Sequence, residues 1–182
     1  MYPSKALAIL ILAAASVSVF AHSAAPSLVK FNGAIGADPL TAAGGVDTLN
    51  VVRGINPGGR AWILRKLKAS VGTDGAIVAK GSGLLLASGD VIGTRATVTH
   101  VAATLFCGPA NATARKFTAT PVPLDAAGGF QIKGTLSEDG INAAVMPPAC
   151  DNPVLLIRSA NPGTGVVGSW FAAGIPGDGD DD

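Results

Sequence analysis

Few residues in this chain are of a type that does chemistry at neutral pH. There are two histidines, His22 and His100, two cysteines, Cys107 and Cys150, and a single glutamate, Glu138. Glycoside hydrolysis by a pair of glutamates has no second partner for Glu138, and paired aspartates would have to take its place. The aspartates outside the C-terminal run sit mainly in turn contexts: Asp38-Pro39, Asp74-Gly75, Ser88-Gly89-Asp90 and Glu138-Asp139-Gly140. In such turns an Asp side chain accepts hydrogen bonds from nearby backbone, which accounts for the residue type without catalysis. No Gly-x-Ser-x-Gly elbow leads into a helix, and no glycine loop with its lysine cradles a phosphate. Gly81-Ser82-Gly83 reads as part of a strand. The inventory points to a protein that acts without catalysis, with no catalytic residue to nominate.

The remaining candidates depend on where the chain resides. Met1 to Lys5 carries one positive charge, Ala6 to Phe20 is apolar or small, and Ala21, Ser23 and Ala24 are small. That order is a secretory signal peptide, expected over residues 1–23. The apolar run is shorter than the roughly 20 residues a spanning helix needs, so no transmembrane anchor is expected after cleavage. The mature protein is then secreted or periplasmic. Two cysteines in an exported chain read as one disulfide, Cys107–Cys150.

Cleavage after Ala21 makes His22 the N-terminal residue, whereas cleavage after Ser23 removes it. A terminal histidine chelates copper through its amine and ring nitrogen, and His100 offers a further imidazole. With export and a β-rich body, this pair resembles the histidine-brace proteins, which include copper-dependent polysaccharide monooxygenases and small periplasmic copper carriers. The resemblance implies copper held by His22 and His100, as the alternative to a protein without a cofactor. The Asp-x-His motif of the copper carriers is missing. His100 itself alternates with Val101, Ala103, Leu105 and Cys107, which places it on the outward face of its strand if the cysteine faces the core.

Charge narrows the partners. Loss of Lys5 leaves 12 basic residues against 12 acidic ones, and a near-neutral mature chain is not the footprint of a nucleic-acid binder. Asp178, Asp180, Asp181 and Asp182 form an acidic run, expected as a flexible tail over residues 175–182. The body that remains is mildly basic. Arg60, Arg65, Lys66 and Lys68 cluster in it, with Lys66 and Lys68 expected on the face of Trp62 and Leu64. Such a cluster protects an edge strand from sheet-to-sheet pairing, and this is the favoured reading. Its functional counterpart is a patch for anionic glycans, lipid headgroups or the protein's own acidic tail.

The elements that must position these residues are short. Removing the leader leaves about 160 residues, the size of one domain. Apolar runs bounded by Gly, Pro, Asn and Asp recur at 28–35, 48–53, 62–71, 76–87, 95–107, 113–120, 129–136, 153–159 and 166–172. Thr73-Asp74-Gly75 is the sharpest hairpin signal, because Asp-Gly supplies the positive φ that a tight turn requires. About nine short strands with turns between them predict an all-β fold over residues 24–174, an antiparallel β-sandwich with a barrel as second choice. The expected role is an exported binding or cell-envelope component whose partner is an envelope or extracellular protein or glycan.

Overall fold

Eleven strands, and no helix, make up the described residues of the computed structural model, which covers 25–39, 50–110 and 114–177. They are β1 (Ser27–Gly36), β2 (Trp62–Ile63), β3 (Lys66–Gly72), β4 (Ala76–Ser82), β5 (Leu85–Leu86), β6 (His100–Cys107), β7 (Arg115–Thr118), β8 (Val122–Pro123), β9 (Phe130–Thr135), β10 (Val154–Ala160) and β11 (Val167–Pro176). Residues 1–24, which include the expected leader and His22, and the acidic run 178–182 lie outside the described residues. The last strand runs two residues past position 174.

All pairings between named strands are antiparallel, as the short runs predict. One long sheet has the order β7-β6-β10-β11-β1-β3-β4-β9, with β8 also on β6, and curls into a half-barrel. β2 and β5 form a small second sheet. The curl brings the two ends of the long sheet together: Thr118 N donates to Ser137 O at 2.7 Å and Ser137 N to Thr118 O at 3.0 Å. The two-layer packing of a sandwich is thus made by one sheet bending over its own core. Segments 113–120 and 129–136 do not form a hairpin with each other. β7 pairs with β6, and β9 with β4.

Side-chain parity explains where the long expected strands break. Trp62 and Leu64 are buried, but so are Leu67, Ala69 and Val71, so the inward positions shift from even to odd across Arg65 and Lys66. A strand alternates strictly, and the chain changes sheet there. Ile77 and Ala79 give way to Leu84 and Leu86 in the same manner, at Gly83 with φ +73°. The two breaks lie opposite each other, which leaves β2 and β5 to pair alone. Lys66 and Lys68 therefore do not share a face with Trp62 and Leu64. Between the breaks, β3 and β4 form the predicted hairpin. Gly75 has φ +80° and its N–H donates to Gly72 O at 3.0 Å, while Asp74 Oδ1 accepts from Ala76 N at 3.0 Å.

The main core fills the inside of the curl, with Phe31, Leu67, Ile77, Leu105, Phe117 and Leu155 almost fully buried. A second small cluster of Ala37, Phe106, Leu156 and Trp170 lies on the opposite face, against Val52 and Ile55. Segment 50–59 covers it: Gly58 N donates to Trp170 O at 2.8 Å and Trp170 Nε1 to Asn50 O at 3.2 Å. Val52 makes only an isolated bridge with Ile55, so the strand expected at 48–53 is a cover for this cluster, and residues 48 and 49 are not described. β6 is buried on both faces, because Phe106 lies in this cluster and Thr104 lies against Arg158 and Thr118. Cys107, at the end of β6, is bonded to Cys150 across 4.7 Å between Cα atoms.

Candidate functional site: a lysine-lined sheet face

The outward face of β1, β3, β4 and β9 gathers lysines from four adjacent strands. Each strand turns one set of residues into the core and the alternate set outward. Leu67, Ala69 and Val71 point in, so Lys66, Lys68 and Ser70 point out. Ile77 and Ala79 leave Val78 and Lys80 outside, and Phe130 and Ile132 leave Gln131 and Lys133. Phe31 of β1 is likewise buried between Lys30 and Asn32. Register then aligns these positions into two rows across the sheet, Asn32–Lys68–Lys80–Gln131 and Lys30–Ser70–Val78–Lys133. The four strands contain five lysines and neither Asp nor Glu.

Lys68 and Lys80 are direct cross-strand partners. Like charges placed opposite one another disfavour a sheet, and an anion laid between them reverses the sign. Two shallow depressions flank this pair. One, of about 310 Å³, is bordered by Lys30, Ser70 and Val78, and the other, of about 440 Å³, by Arg65, Lys66 and Ser82; Asn32, Lys68 and Lys80 border both. Edge protection does not account for these lysines, because β3 lies between β1 and β4, and β4 between β3 and β9. Only Lys133 stands on a terminal strand.

The other sequence candidates fall elsewhere. Arg60 lies off this face and forms an ion pair with Asp90 at 2.7 Å, which holds the Asp90 carboxyl below its ordinary pKa. Arg65 is exposed at the β2–β3 break, its stem against Gly83. Lys66 and Lys68 belong to the face. Lys30, Lys80 and Lys133 were missed. Lys30 and Lys133 are far from Lys66 and Lys68 in the chain and join them through the order β1-β3-β4-β9, whereas Lys80 lies across the β3–β4 hairpin, in register with Lys68.

The groups of possible catalytic type have structural partners. Glu138 takes two hydrogen bonds from Arg115, at 3.0 and 2.9 Å, and Arg115 also reaches Val145 O at 2.8 Å and lies over the Phe117 ring. Asp139 accepts from the backbone N–H of Asn142 and Ile141, both at 2.8 Å, and from the Asn142 amide and Ser137 hydroxyl. These donors hold its carboxyl well below the usual range; it is ionised at any ordinary pH and braces a turn. Arg158 is buried, and burial lowers its pKa. Its guanidinium donates to the carbonyls of Gly168 and Val167 and to Thr104 Oγ1, at 2.9, 3.2 and 3.3 Å.

His100 opens β6, half-buried, with Nδ1 3.1 Å from Thr99 Oγ1. The residues on its side of β6, Ala102, Thr104 and Phe106, are buried, Thr104 against Arg158 and Phe106 in the second cluster. Among the described residues no three His, Cys, Asp or Glu side chains converge as a metal site. A copper pair would rest on His22, which lies outside the described residues. No family model, no curated protein and no solved structure matches this chain. The lysine face is therefore judged on its own geometry. Among the described residues no helix is long and apolar enough to cross a membrane.

Proposed function

We propose that this is a non-catalytic binding protein of the extracellular space or cell envelope, and that its lysine face takes an extended anionic glycan. The observation that carries the reading is the five lysines, without an acidic residue, on four adjacent strands. The open face of a sheet places side chains about 5 Å apart between strands and about 7 Å apart along them. That array suits a polymer bearing repeated carboxylates or sulfates better than a small ligand, which a concave pocket would enclose. Ser70, Ser82, Asn32 and Gln131 stand among the lysines and supply neutral hydrogen-bonding groups for sugar hydroxyls. The Cys107–Cys150 disulfide supports an oxidising compartment. The leader read from residues 1–23 agrees, and the mass of the exported protein should match a cut after Ala21 or Ser23.

Titration with a sulfated or uronic-acid polysaccharide tests the reading. Binding at low salt should weaken steeply as ionic strength rises, because contacts between exposed charges are screened. Lys68→Gln with Lys80→Gln should weaken it at least about tenfold, the loss of two charge-assisted hydrogen bonds being worth more than 1.4 kcal/mol. Neutral polysaccharide should not bind. Equal affinity of the double variant, or tighter binding to anionic lipid vesicles than to the glycan, would overturn the proposal.

A further inference from the structure

We infer that a depression beside the small sheet binds a ring-sized organic carboxylate, independently of the lysine face. Its volume is about 370 Å³, within the range of ligand pockets, and Gly58, Arg60, Trp62 and Phe171 are among the residues that border it. None of the bordering residues belongs to β1, β3, β4 or β9. The first support is an indole N–H. A buried tryptophan usually finds an acceptor for this group, and Trp170 does so, its Nε1 donating to Asn50 O at 3.2 Å. Trp62 is only 5% exposed, yet its Nε1 has no hydrogen-bond partner among the described residues. No described side-chain nitrogen or oxygen is both sealed from solvent and unpaired. The Trp62 N–H therefore reaches the surface, and the depression is the surface that Trp62 borders. A Cβ at Gly58 would lie 2.9 Å from this Nε1 and 3.0 Å from two carbons of the Phe171 ring. Only glycine leaves the donor uncrowded there.

The second support is charge. Arg60 borders the depression, and no Asp or Glu does. One guanidinium nitrogen of Arg60, NH1, donates to Asp90 at 2.7 Å, which leaves Nε and NH2 without a partner among the described residues. A guanidinium has five N–H donors and holds a carboxylate through short, charge-assisted bonds. The Trp62 N–H adds a neutral donor, and Thr97 and Ser169 add hydroxyls. Leu86, Val98 and Phe171 supply the apolar part of the wall. Convergent donors without an anion, set in an apolar enclosure, select an acid whose carboxylate is attached to an apolar group. An enclosure of this size takes one ring, whereas the open lysine face takes a polymer.

Titration of the full mature chain with benzoate tests this, read at the indole N–H signals of the nitrogen-labelled protein. The chain has two tryptophans, and Trp170 serves as the internal control because Asn50 O already takes its N–H. Trp62→Phe assigns the signals by removing one. Benzoate should move the Trp62 signal downfield in a saturable manner and leave that of Trp170 in place. Without benzoate, the Trp62 N–H should exchange with solvent faster than that of Trp170. Benzyl alcohol, which keeps the ring and lacks the carboxylate, should move neither signal. Arg60→Gln, at an exposed position, should weaken benzoate binding severalfold, and Lys68→Gln with Lys80→Gln should leave it unchanged. A benzoate shift confined to Trp62 in a protein that binds no anionic polysaccharide would uphold this inference and overturn the glycan reading. A Trp62 signal that benzoate leaves in place, or that benzyl alcohol moves equally, would overturn this inference and leave the glycan reading standing. Undiminished binding to Arg60→Gln, or loss of binding in the double lysine variant, would overturn it as well.

Discussion

Replacing Cys107 and Cys150 together by alanine should lower the stability of the protein by about 4 kcal/mol. The bridge closes a loop with a sequence separation of 43, and in the chain-entropy model such a loop restricts the unfolded ensemble by about that amount. The folded state adds its own reason. Residues 138–153 contain no strand, and Ile141 and Val145 in them are largely exposed. Besides the bridge, the segment is held by Ala144 N to Leu136 O, Gly108 N to Asp151 O, the hydrogen bonds that Arg115 sends to Glu138 and to Val145 O, a hydrogen bond from Arg53 to Asn152 O, and the packing of Ala144 and Met146 on the core. For a chain of this size the loss corresponds to roughly 8–16 °C in Tm. Urea unfolding should also show a larger m value, because the uncrosslinked unfolded chain exposes more surface. The reduced wild-type protein should match the variant. A loss below about 1 kcal/mol would show that the segment is held by its other contacts and that the loop argument fails here.

The all-β fold and the bridge were legible for a simple reason. Strand alternation, turn residues and a cysteine pair are local signals, readable over a few positions. The hairpin over Thr73-Asp74-Gly75 is of this kind. The breaks at 64–67 and 82–84 were also written locally, as the parity slip from Trp62 and Leu64 to Leu67 and Ala69, but continuous apolar composition masked them. β8 escaped because two residues bounded by Pro121 and including Pro123 look like a loop. The burial of both faces of β6 was hidden for a different cause: what covers its second face, segment 50–59 over Phe106 and Arg158 over Thr104, comes from remote parts of the chain.

The site divides along the same line. Arg65, Lys66 and Lys68 are contiguous, so their clustering could be read directly. Lys30 and Lys133 join them only through pairings of β1 with β3 and of β4 with β9, which no local pattern states, while Lys80 faces Lys68 across the legible β3–β4 hairpin in a register that the parity breaks obscured. Arg60 failed as a face residue because pairing of β2 with β5 brings Asp90 to it from thirty residues away.

Gly36→Ala should be among the most damaging single substitutions in the chain, while Gly134→Ala should be nearly silent. Gly36 ends β1 where the chain passes from the long sheet to the small one. A Cβ there would lie 1.9 Å from the carbonyl oxygen of Trp62 and 2.8 Å from its carbonyl carbon. These are backbone atoms, so no side-chain rotation relieves the overlap. The next residue is fixed on both sides, since Ala37 N donates to Phe171 O at 2.7 Å and Ala37 O accepts from Trp62 N at 2.8 Å. Trp62 in turn packs on Phe171 with ring centroids 4.2 Å apart. Admitting one methyl group therefore means separating β1 from β2 and disturbing a buried aromatic pair, with a loss of about 3 kcal/mol or more, at the upper end for overpacking. At Gly134 nothing lies within 4 Å of the same methyl group, and removing glycine from a strand stabilises slightly. Urea unfolding of the two variants isolates the close approach, because the chemical change is identical. Equal stability of the two would contradict the seam described between the sheets. β1 also carries Lys30 and Asn32, so anionic-ligand binding should weaken with the seam in Gly36→Ala and persist in Gly134→Ala.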